Sequence, residues 1–450
     1  MYIQQIYTDC LAQASYYIES EGESIIIDPI RDSSIYLDIL IKRKSSLKYI
    51  FETHFHADFV SGHVELARLT NASIVFGPKA ITSYECIFAT HNQEFQFGTM
   101  KLRALHTPGH TLESTCYLLI SNSNKHEAVF TGDTLFIGEV GRPDLAVNPQ
   151  LTSHDLASQL YDSLHNVIMN LADDIIVYPG HGAGSACGKN ISSEKQSTIG
   201  EQKKSNYALQ PMIKKEFIEM VLKGISSPPQ YFSHDVAMNK QGYQPISGVL
   251  ENSVNKLNYV MSSTYIKKGI TILDVRSPHD FEKGFIPGSI NIGKMGMFAP
   301  WVGTIISPKS KIILVCNINE EVEVISRLAR IGYENVVGFI SDLQDWHDKN
   351  ELEYIESIYA NAIKEDKNNI FILDVRKEAE LKLGYVQDSV NIPLSELLVS
   401  LDRIPKSANL IIYCAGGYRS MIAASILKSK GFNNIKNVYG GYNEIARNQL

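Results

Sequence analysis

Two imidazoles and a carboxylate fall within five residues at Thr53-His54-Phe55-His56-Ala57-Asp58-Phe59, directly after the apolar run Tyr49-Ile50-Phe51. A strand feeding a tight loop is what this pattern predicts, so the three side chains project from a strand end into a cleft. Three later stretches repeat the theme. His110 closes His106-Thr107-Pro108-Gly109-His110, Asp133 closes Thr131-Gly132-Asp133, and His181 sits in Pro179-Gly180-His181-Gly182. Nitrogen and carboxylate donors on loops fixed by a β scaffold are what a hard or borderline metal ion requires. Gly109, Gly132 and Gly180 each stand beside a candidate donor, where a small residue permits the close turns that bring several loops to one point. Any one of these histidines alone would read as a turn residue; four donor-bearing strand ends in succession read as a metal centre.

Two cysteines could carry sulfur chemistry. Cys414-Ala415-Gly416-Gly417-Tyr418-Arg419-Ser420 follows the apolar run Leu410 to Tyr413 and precedes a helix expected over Met421 to Ser429. Glycines let such a loop curl so that successive backbone N–H groups point inward, an anion nest at a helix N-terminus that stabilises a thiolate. Cys187 lies in Gly182-Ala183-Gly184-Ser185-Ala186-Cys187-Gly188-Lys189, directly after the His181 turn. There it would stand at the mouth of the metal pocket, activated by the Lys189 cation, or else simply fill a glycine-rich loop. Cys10, Cys86 and Cys116 fall in strand or helix contexts and are expected in the core.

The elements that position these groups follow from the hydrophobic pattern. Ala14 to Ile18 and Ser24 to Ile27 read as strands around a Glu21-Gly22-Glu23 turn. A helix is expected over Gly62 to Leu69. Strands are expected over Ser73 to Phe76, Glu94 to Phe97, Met100 to Leu105, Cys116 to Ile120, Ala128 to Phe130 and Ile175 to Tyr178. From Ile191 to about Gln244 the chain is polar, with a helix over Ile213 to Leu222 and a break at Ser226-Ser227-Pro228-Pro229, as a wrap over the first domain and a boundary would have.

Beyond it the chain repeats itself. Ile272-Leu273-Asp274-Val275-Arg276 recurs as Ile372-Leu373-Asp374-Val375-Arg376, and Ile290-Asn291-Ile292 as Val390-Asn391-Ile392. Ile312 to Cys316 recurs as Leu410 to Cys414, always at an offset of about 100 residues. Each copy alternates apolar strands with amphipathic helices, as a parallel α/β fold does. The copies differ where chemistry is concerned. After Cys316 the chain reads Asn317-Ile318-Asn319-Glu320-Glu321, with two acids where the nest should be, so the first copy is expected to be degenerate. The domains are read as 1–244, 245–352 and 353–450.

Composition narrows the function classes. At 450 residues, 44% hydrophobic and 20% charged, the chain is an ordinary globular one of two to four domains. A net charge of -7 without a basic block argues against nucleic acid. No apolar run approaches the roughly 20 residues of a membrane span. The start Met1-Tyr2-Ile3-Gln4-Gln5 lacks a secretory pattern, so a cytoplasmic protein with no membrane partner is expected. Six cysteines without paired spacing argue against a disulfide scaffold.

Residues 1 to 182 resemble the metallo-β-lactamase superfamily, an αββα sandwich with its metal site at one edge. That pattern has a second histidine after the motif's aspartate, where this chain has Phe59. The departure favours one metal over the two of a glyoxalase II-type zinc hydrolase. Within the superfamily the sequence is most similar to persulfide dioxygenases. That resemblance implies one Fe(II) per chain held by His54, His110 and Asp133, with O2 as cosubstrate and with His56, Asp58 and His181 supporting the ligands. Gly141-Arg142-Pro143-Asp144 matches as well, and Arg142 suits either an anionic substrate or an ion pair with Asp144. The loop at Cys414, with Asp-Val-Arg and Val-Asn-Ile-Pro, resembles rhodanese sulfurtransferases, whose cysteine carries sulfane sulfur; this casts Cys414 and Arg419 as catalytic and Gly416 and Gly417 as substrate-binding.

The resemblance implies a persulfide dioxygenase–rhodanese fusion. It would oxidise a low-molecular-weight thiol persulfide to sulfite and exchange sulfur between sulfite and thiosulfate, in sulfide detoxification. A zinc thioester hydrolase fused to a sulfur-carrier or binding platform is the alternative. The carrier thiol (glutathione, coenzyme A or bacillithiol), the direction of sulfur flow and the oligomeric state, a homo-oligomer included, stay open.

Overall fold

The computed structural model describes residues 1–225, 227–364 and 370–448, so Ser226 of the expected break lies outside the described residues. The chain forms two compact units, Met1–Ile246 with Ala329–Gly332, and Ser247–Leu328 with Tyr333–Leu450.

The first unit is built on two six-stranded sheets. One holds β1 (Tyr2–Thr8), β2 (Gln13–Ser20), β3 (Glu23–Ile27), β4 (Ser46–Phe51), β5 (Ser73–Phe76) and β6 (Ile87–Phe88) in that spatial order. The other holds β7 (Glu94–Phe97), β8 (Met100–His106), β9 (Thr115–Ile120), β10 (His126–Gly132), β11 (Ile176–Pro179) and β12 (Ser197–Thr198), again as neighbours in sequence. The β2–β3 hairpin turns at Glu21 and Gly22, both at positive φ, which suits the right-handed twist of the flanking strands. β1 was not among the expected strands. Its Tyr-Ile-Gln-Gln-Ile-Tyr run does not alternate, because the strand is a half-buried edge held by pairing from Tyr2↔Glu19 to Thr8↔Gln13.

Inward-facing residues of the two sheets make the central core. Tyr16, Ile18, Ile25, Ile27, Phe51 and Val75 pack against Phe97, Leu102, Tyr117, Leu119 and Phe130. On the outer face of the second sheet, Leu118, Val129 and Val177 pack with Ala157, Leu160 and Leu164 of the helix Ser153–Ser163 and its extension, and with Phe217 and Val221 of the helix Lys214–Leu222. The outer face of the first sheet is covered at Ile74 and Phe76 by Phe55, Ala80 and the helix His63–Thr70. This is an αββα sandwich, and the polar stretch after Ile191 supplies helices to it.

The second unit contains the repeat. β13 (Thr271–Asp274), β14 (Ile290–Asn291), β15 (Ile312–Val315) and β16 (Val336–Ile340) form a parallel sheet in the order β14-β13-β15-β16. β17 (Glu356–Ile358), β18 (Ile370–Asp374), β19 (Val390–Asn391), β20 (Asn409–Tyr413) and β21 (Ile435–Val438) form a second in the order β17-β21-β20-β18-β19. The recurring Asp-Val-Arg is a scaffold ion pair in both copies. Arg276 Nη2 meets Asp274 Oδ2 at 2.5 Å and donates to Gly284 O; Arg376 Nη2 meets Asp374 Oδ2 at 2.6 Å and donates to Gly384 O. The recurring asparagine closes the same turn: Asn291 Nδ2 donates to the carbonyls of Asp274 and Arg276, Asn391 Nδ2 to those of Asp374 and Arg376.

Leu119 is fully buried between the facing sheets. Leu119→Ala is expected to destabilise the first unit by about 2–5 kcal/mol, because the rigid sandwich collapses only partly onto the cavity. The measurement is the urea midpoint of its circular-dichroism transition.

Candidate metal centre and sulfur-transfer loop

Four loops at one edge of the sandwich meet at a buried point. β4 delivers His54, the loop between β8 and β9 delivers His110, the end of β10 delivers Asp133, and the end of β11 delivers His181. Pairing of β10 with β11 is parallel up to Gly132↔Pro179, which sets the last two loops side by side. The packing leaves no room for larger residues: a Cβ on Gly180 would stand 2.7 Å from Asp133 Oδ1, and one on Gly132, at φ +49, 2.5 Å from Thr53 Oγ1.

His54, His110 and Asp133 are each 1 to 2% exposed, and their ligand atoms lie within 4.8 Å of one another. His54 Nε2 is 3.8 Å and His110 Nε2 3.5 Å from Asp133 Oδ2. Among the described residues, His54 Nε2 and Asp133 Oδ2 are buried without a hydrogen-bond partner. Orphaned donors of these types facing one point fit a metal ion. Their protonation states fit as well. Burial holds His54 well below the usual imidazole range, with His56 adding to it, and burial likewise lowers His110. Burial opposes the charge of Asp133, but the His181, His54 and His110 imidazoles together hold the carboxyl far below its ordinary range. Neutral imidazoles and an ionised carboxylate are the states a metal ion requires.

Each ligand is gripped on its other side. Thr53 Oγ1 donates to Asp28 Oδ2 at 2.8 Å, so its lone pair accepts His54 Nδ1–H at 3.0 Å and Nε2 is left bare. His110 Nδ1 donates to Arg142 O at 2.9 Å. Asp133 Oδ1 accepts from His181 Nδ1 at 2.8 Å, and His181 Nε2 lies 2.9 Å from Asp58 Oδ2. Burial alone would strip the proton from His181; the Asp133 and Asp58 carboxylates on either side hold it on, raising the imidazole well above its usual range.

His56 points elsewhere. Its Nε2 lies 3.1 Å from Asp28 Oδ1 and 3.5 Å from Glu52 Oε2, and its ring packs on Phe59 with centroids 4.3 Å apart. Asp28, Glu52 and Asn239 escaped the sequence reading. Asn239, in the helix Phe232–Gln241, donates to the carbonyls of His56 and Phe59 and accepts from Ser61 N–H, all at 2.9 Å, and so pins the metal loop. An asparagine far along a polar stretch carries no signal of this; only the aspartate ending β3 beside a proline could have prompted a search.

Cys187 is brought to the site, where Asp58, His181 and Cys187 place one ligand atom each within 4.8 Å of one another. The reason given for its activation is overturned. Lys189 Nζ donates instead to the carbonyls of Met220 and Lys223, and burial, with Asp58 and Asp133, pushes the Cys187 thiol well up. Arg142 is engaged too: its guanidinium binds Asp144 at 2.6 and 2.7 Å, its N–H donates to Cys187 O and its carbonyl holds His110. Of the two roles open to Arg142, the ion pair with Asp144 is formed. Cys116 is buried as expected, but Cys10 and Cys86 are only half-buried.

In the second unit Cys414 lies at the end of β20, and Gly417 N–H donates to its Sγ at 3.1 Å. Gly417, at φ +98, turns the loop into the helix Tyr418–Ser429, and a Cβ on Gly416 would meet nothing within 4 Å. Arg419 closes the loop through a bidentate pair with Glu380 at 2.6 and 2.7 Å, which raises the guanidinium's pKa further. At Cys316 the loop holds Glu320 and Glu321 instead. Burial, then those acids, push this thiol up to about 12.

The rhodanese-like domain family matches residues 261–349 and again 358–448, and the metallo-beta-lactamase superfamily matches residues 8–85. A crystal structure of a metallo-beta-lactamase from Staphylococcus aureus subsp. aureus COL is 31% identical, with a TM-score of 0.66 over 76% of this chain and 98% of that one. The chain belongs to the metallo-beta-lactamase superfamily. Behind that fold it carries two rhodanese-like domains. The probable hydroxyacylglutathione hydrolase glo2 of Schizosaccharomyces pombe is 31% identical over 205 residues, 40% of this superfamily member and 75% of the yeast protein. The crystal structure of ETHE1 from Myxococcus xanthus is 28% identical, covering 53% of this chain and 98% of that one, with a TM-score of 0.47. Among the described residues no helix is long and apolar enough to cross a membrane.

Thr53→Val removes the acceptor that fixes the His54 tautomer, and Thr53→Ser keeps it. The first is expected to weaken metal binding by about 10- to 100-fold and the second to restore it, read by competition with a chromophoric chelator. At Cys316 the thiol stays protonated at pH 8. Its alkylation by iodoacetamide, followed by peptide mapping, is expected to climb with pH up to about 12 and to be negligible at pH 8.

Proposed function

We propose that the protein is a persulfide dioxygenase joined to a sulfurtransferase. The observation that carries this reading is the two-histidine, one-carboxylate cluster of His54, His110 and Asp133, beside which His56 faces Asp28 and Glu52 and packs on Phe59. That donor set suits non-haem iron with open positions. Iron(II) held by His54, His110 and Asp133 would supply O2 activation and a place for the sulfane sulfur.

The chain's own residues do the rest. His181, with one ring nitrogen on Asp133 Oδ1 and the other facing Asp58 Oδ2, fixes the orientation of the Asp133 carboxylate so that Oδ2 faces His54 and His110. Phe59, Phe136 and Cys187 surround His181, and all three side chains are buried. The overall change is RSSH + O2 + H2O to RSH, sulfite and two protons. Sulfite is a sulfane acceptor, and a Cys414 persulfide would transfer its outer sulfur to it, giving thiosulfate and the free thiolate, or gain sulfur by the reverse step. The Gly417 N–H on Sγ supports that role.

A second reading has its own support. Relatives named hydroxyacylglutathione hydrolase, together with the Asp58–His181–Cys187 cluster, favour a two-zinc thioester hydrolase, in which these residues with His54, His110 and Asp133 would hold metals that supply activation of water. Anaerobic iron loading followed by O2 uptake with glutathione, coenzyme A and bacillithiol persulfides separates the two. One iron per chain, O2 consumption matched by sulfite, and loss of both in Asp133→Ala are expected. Two zincs per chain with thioester cleavage and no O2 uptake would overturn the dioxygenase. Cys414→Ser is expected to leave O2 uptake intact while abolishing thiocyanate formation from thiosulfate and cyanide.

A further inference from the structure

The degenerate copy has lost its own loop chemistry, yet it touches the loop of the active copy on both sides. Tyr418, the first residue of the helix that starts at the Cys414 loop, donates its hydroxyl to Gly293 O at 2.8 Å. Gly293 and Gly296 flank that ring so closely that a Cβ on Gly296, which sits at φ +128, would stand 3.3 Å from two of its carbons. Lys294 ties the same segment to Glu320 at 3.1 Å and Glu323 at 2.8 Å, the acids that follow Cys316. Seven residues along the helix, on the same face, Ser425 Oγ accepts the N–H of Asn291. On the other side of the loop, Glu282 accepts from Tyr439 OH at 2.5 Å and from Ser357 Oγ. Tyr439 leads into Gly440-Gly441, and there Tyr442 N–H and Asn443 N–H hold the carbonyls of Cys414 and Ala415.

The helix itself shows why a partner is needed. Every residue from Ser420 to Leu427 is buried, whereas the corresponding helix Glu321–Ala329 of the degenerate copy leaves Val322 and Glu323 exposed. A helix buried all round requires a second packing surface beyond its own sheet.

We infer that the degenerate rhodanese-like copy is the positioning half of the sulfur-transfer site: its Gly293–Gly296 segment fixes Tyr418, its Glu282 fixes Tyr439, and together they set the N–H groups around Cys414. This rests on the sulfur-transfer reading above. Tyr418 and Glu282 are positioning residues, since they act through the loop and the Gly440-Gly441 turn. Glu320, one of the two acids after Cys316, acquires a use with Glu323, because the two hold Lys294 and through it the segment beneath Tyr418.

The test uses the full-length, iron-loaded protein. Tyr418→Phe and Glu282→Ala are each expected to lower kcat/KM for thiosulfate in thiocyanate formation by about three- to tenfold, the loss of one positioning hydrogen bond. Gly296→Val, which drives a side chain into the ring, is expected to cost more. Persulfide-dependent O2 uptake should be unchanged in all three. The decisive readout is a double variant: in a Tyr418→Ala background Gly296→Val should add no further loss, because its target ring is gone. Additive losses, or full activity in Tyr418→Phe and Glu282→Ala, would overturn the inference, and those two variants decide the matter if Gly296→Val does not fold. A wild-type protein that takes no sulfur from thiosulfate would refute the sulfur-transfer reading instead. The iodoacetamide rate at Cys414 in the same variants, expected to fall in the same order, then decides the positioning role.

Discussion

Asp133 is a carboxylate taken almost wholly out of water and surrounded by imidazoles, and the first unit is arranged to make that tolerable. An uncompensated buried charge costs several kcal/mol, so each oxygen needs a partner. Oδ1 has His181, itself held by Asp58; Oδ2 faces His54 and His110 and suits a cation. Asp133 and its partners come from four separate loops, and each loop is therefore fastened. Gly180 N–H donates to Gly132 O, Ala14 N–H to Gly180 O, and Asn239 holds the turn from His56 to Ser61. The fastening is mostly backbone to backbone or from a single buried amide, which leaves little freedom to absorb a misplaced ligand.

In the second unit, duplication has separated what makes the fold from what makes the chemistry. The Asp-Val-Arg and Asn residues recur because they close the same turn in both copies: the arginine reaches the carbonyl of Gly284 or Gly384, and the asparagine caps the strand end. The loops after Cys316 and Cys414 obey no such constraint. One keeps the glycine that lets an N–H reach sulfur; the other has Glu320, which with Glu323 of the following helix pairs with Lys294.

The fold was legible in the sequence where pattern and burial coincide. Strands with clean alternation or continuous apolar runs, such as Met100–His106 and Thr115–Ile120, were readable, and so was the offset repeat. β1 was not, because an edge strand needs only one partner and little apolar surface. Within the candidate site, the donors announced themselves by type and by their place after apolar runs. Their supports did not. Asp28 ends a strand, Glu52 hides inside one stretch of motif, and Asn239 lies 180 residues from Phe59, whose carbonyl it holds. Arg142 left an anionic substrate and an ion pair with Asp144 both open, and the distances to Asp144 show the pair. Lys189 misled because proximity in sequence did not become proximity in space.

Phe59 does more than omit a ligand. A small residue there would leave His56 free to swing toward His54, whose ring centroid is only 4.2 Å away. A fully buried phenyl ring lying 32° from the plane of His56 fills that space, and the imidazole is left with Asp28 and Glu52 as neighbours. Those acids are held in turn: Thr53 donates twice to Asp28, and Ser61 donates to Glu52. Asp28 thus faces His56 and, through Thr53, orients His54. The choice of donors is made by packing around one aromatic side chain, so changing it would require rebuilding His56, Asp28 and the loop that Asn239 pins, and not position 59 alone.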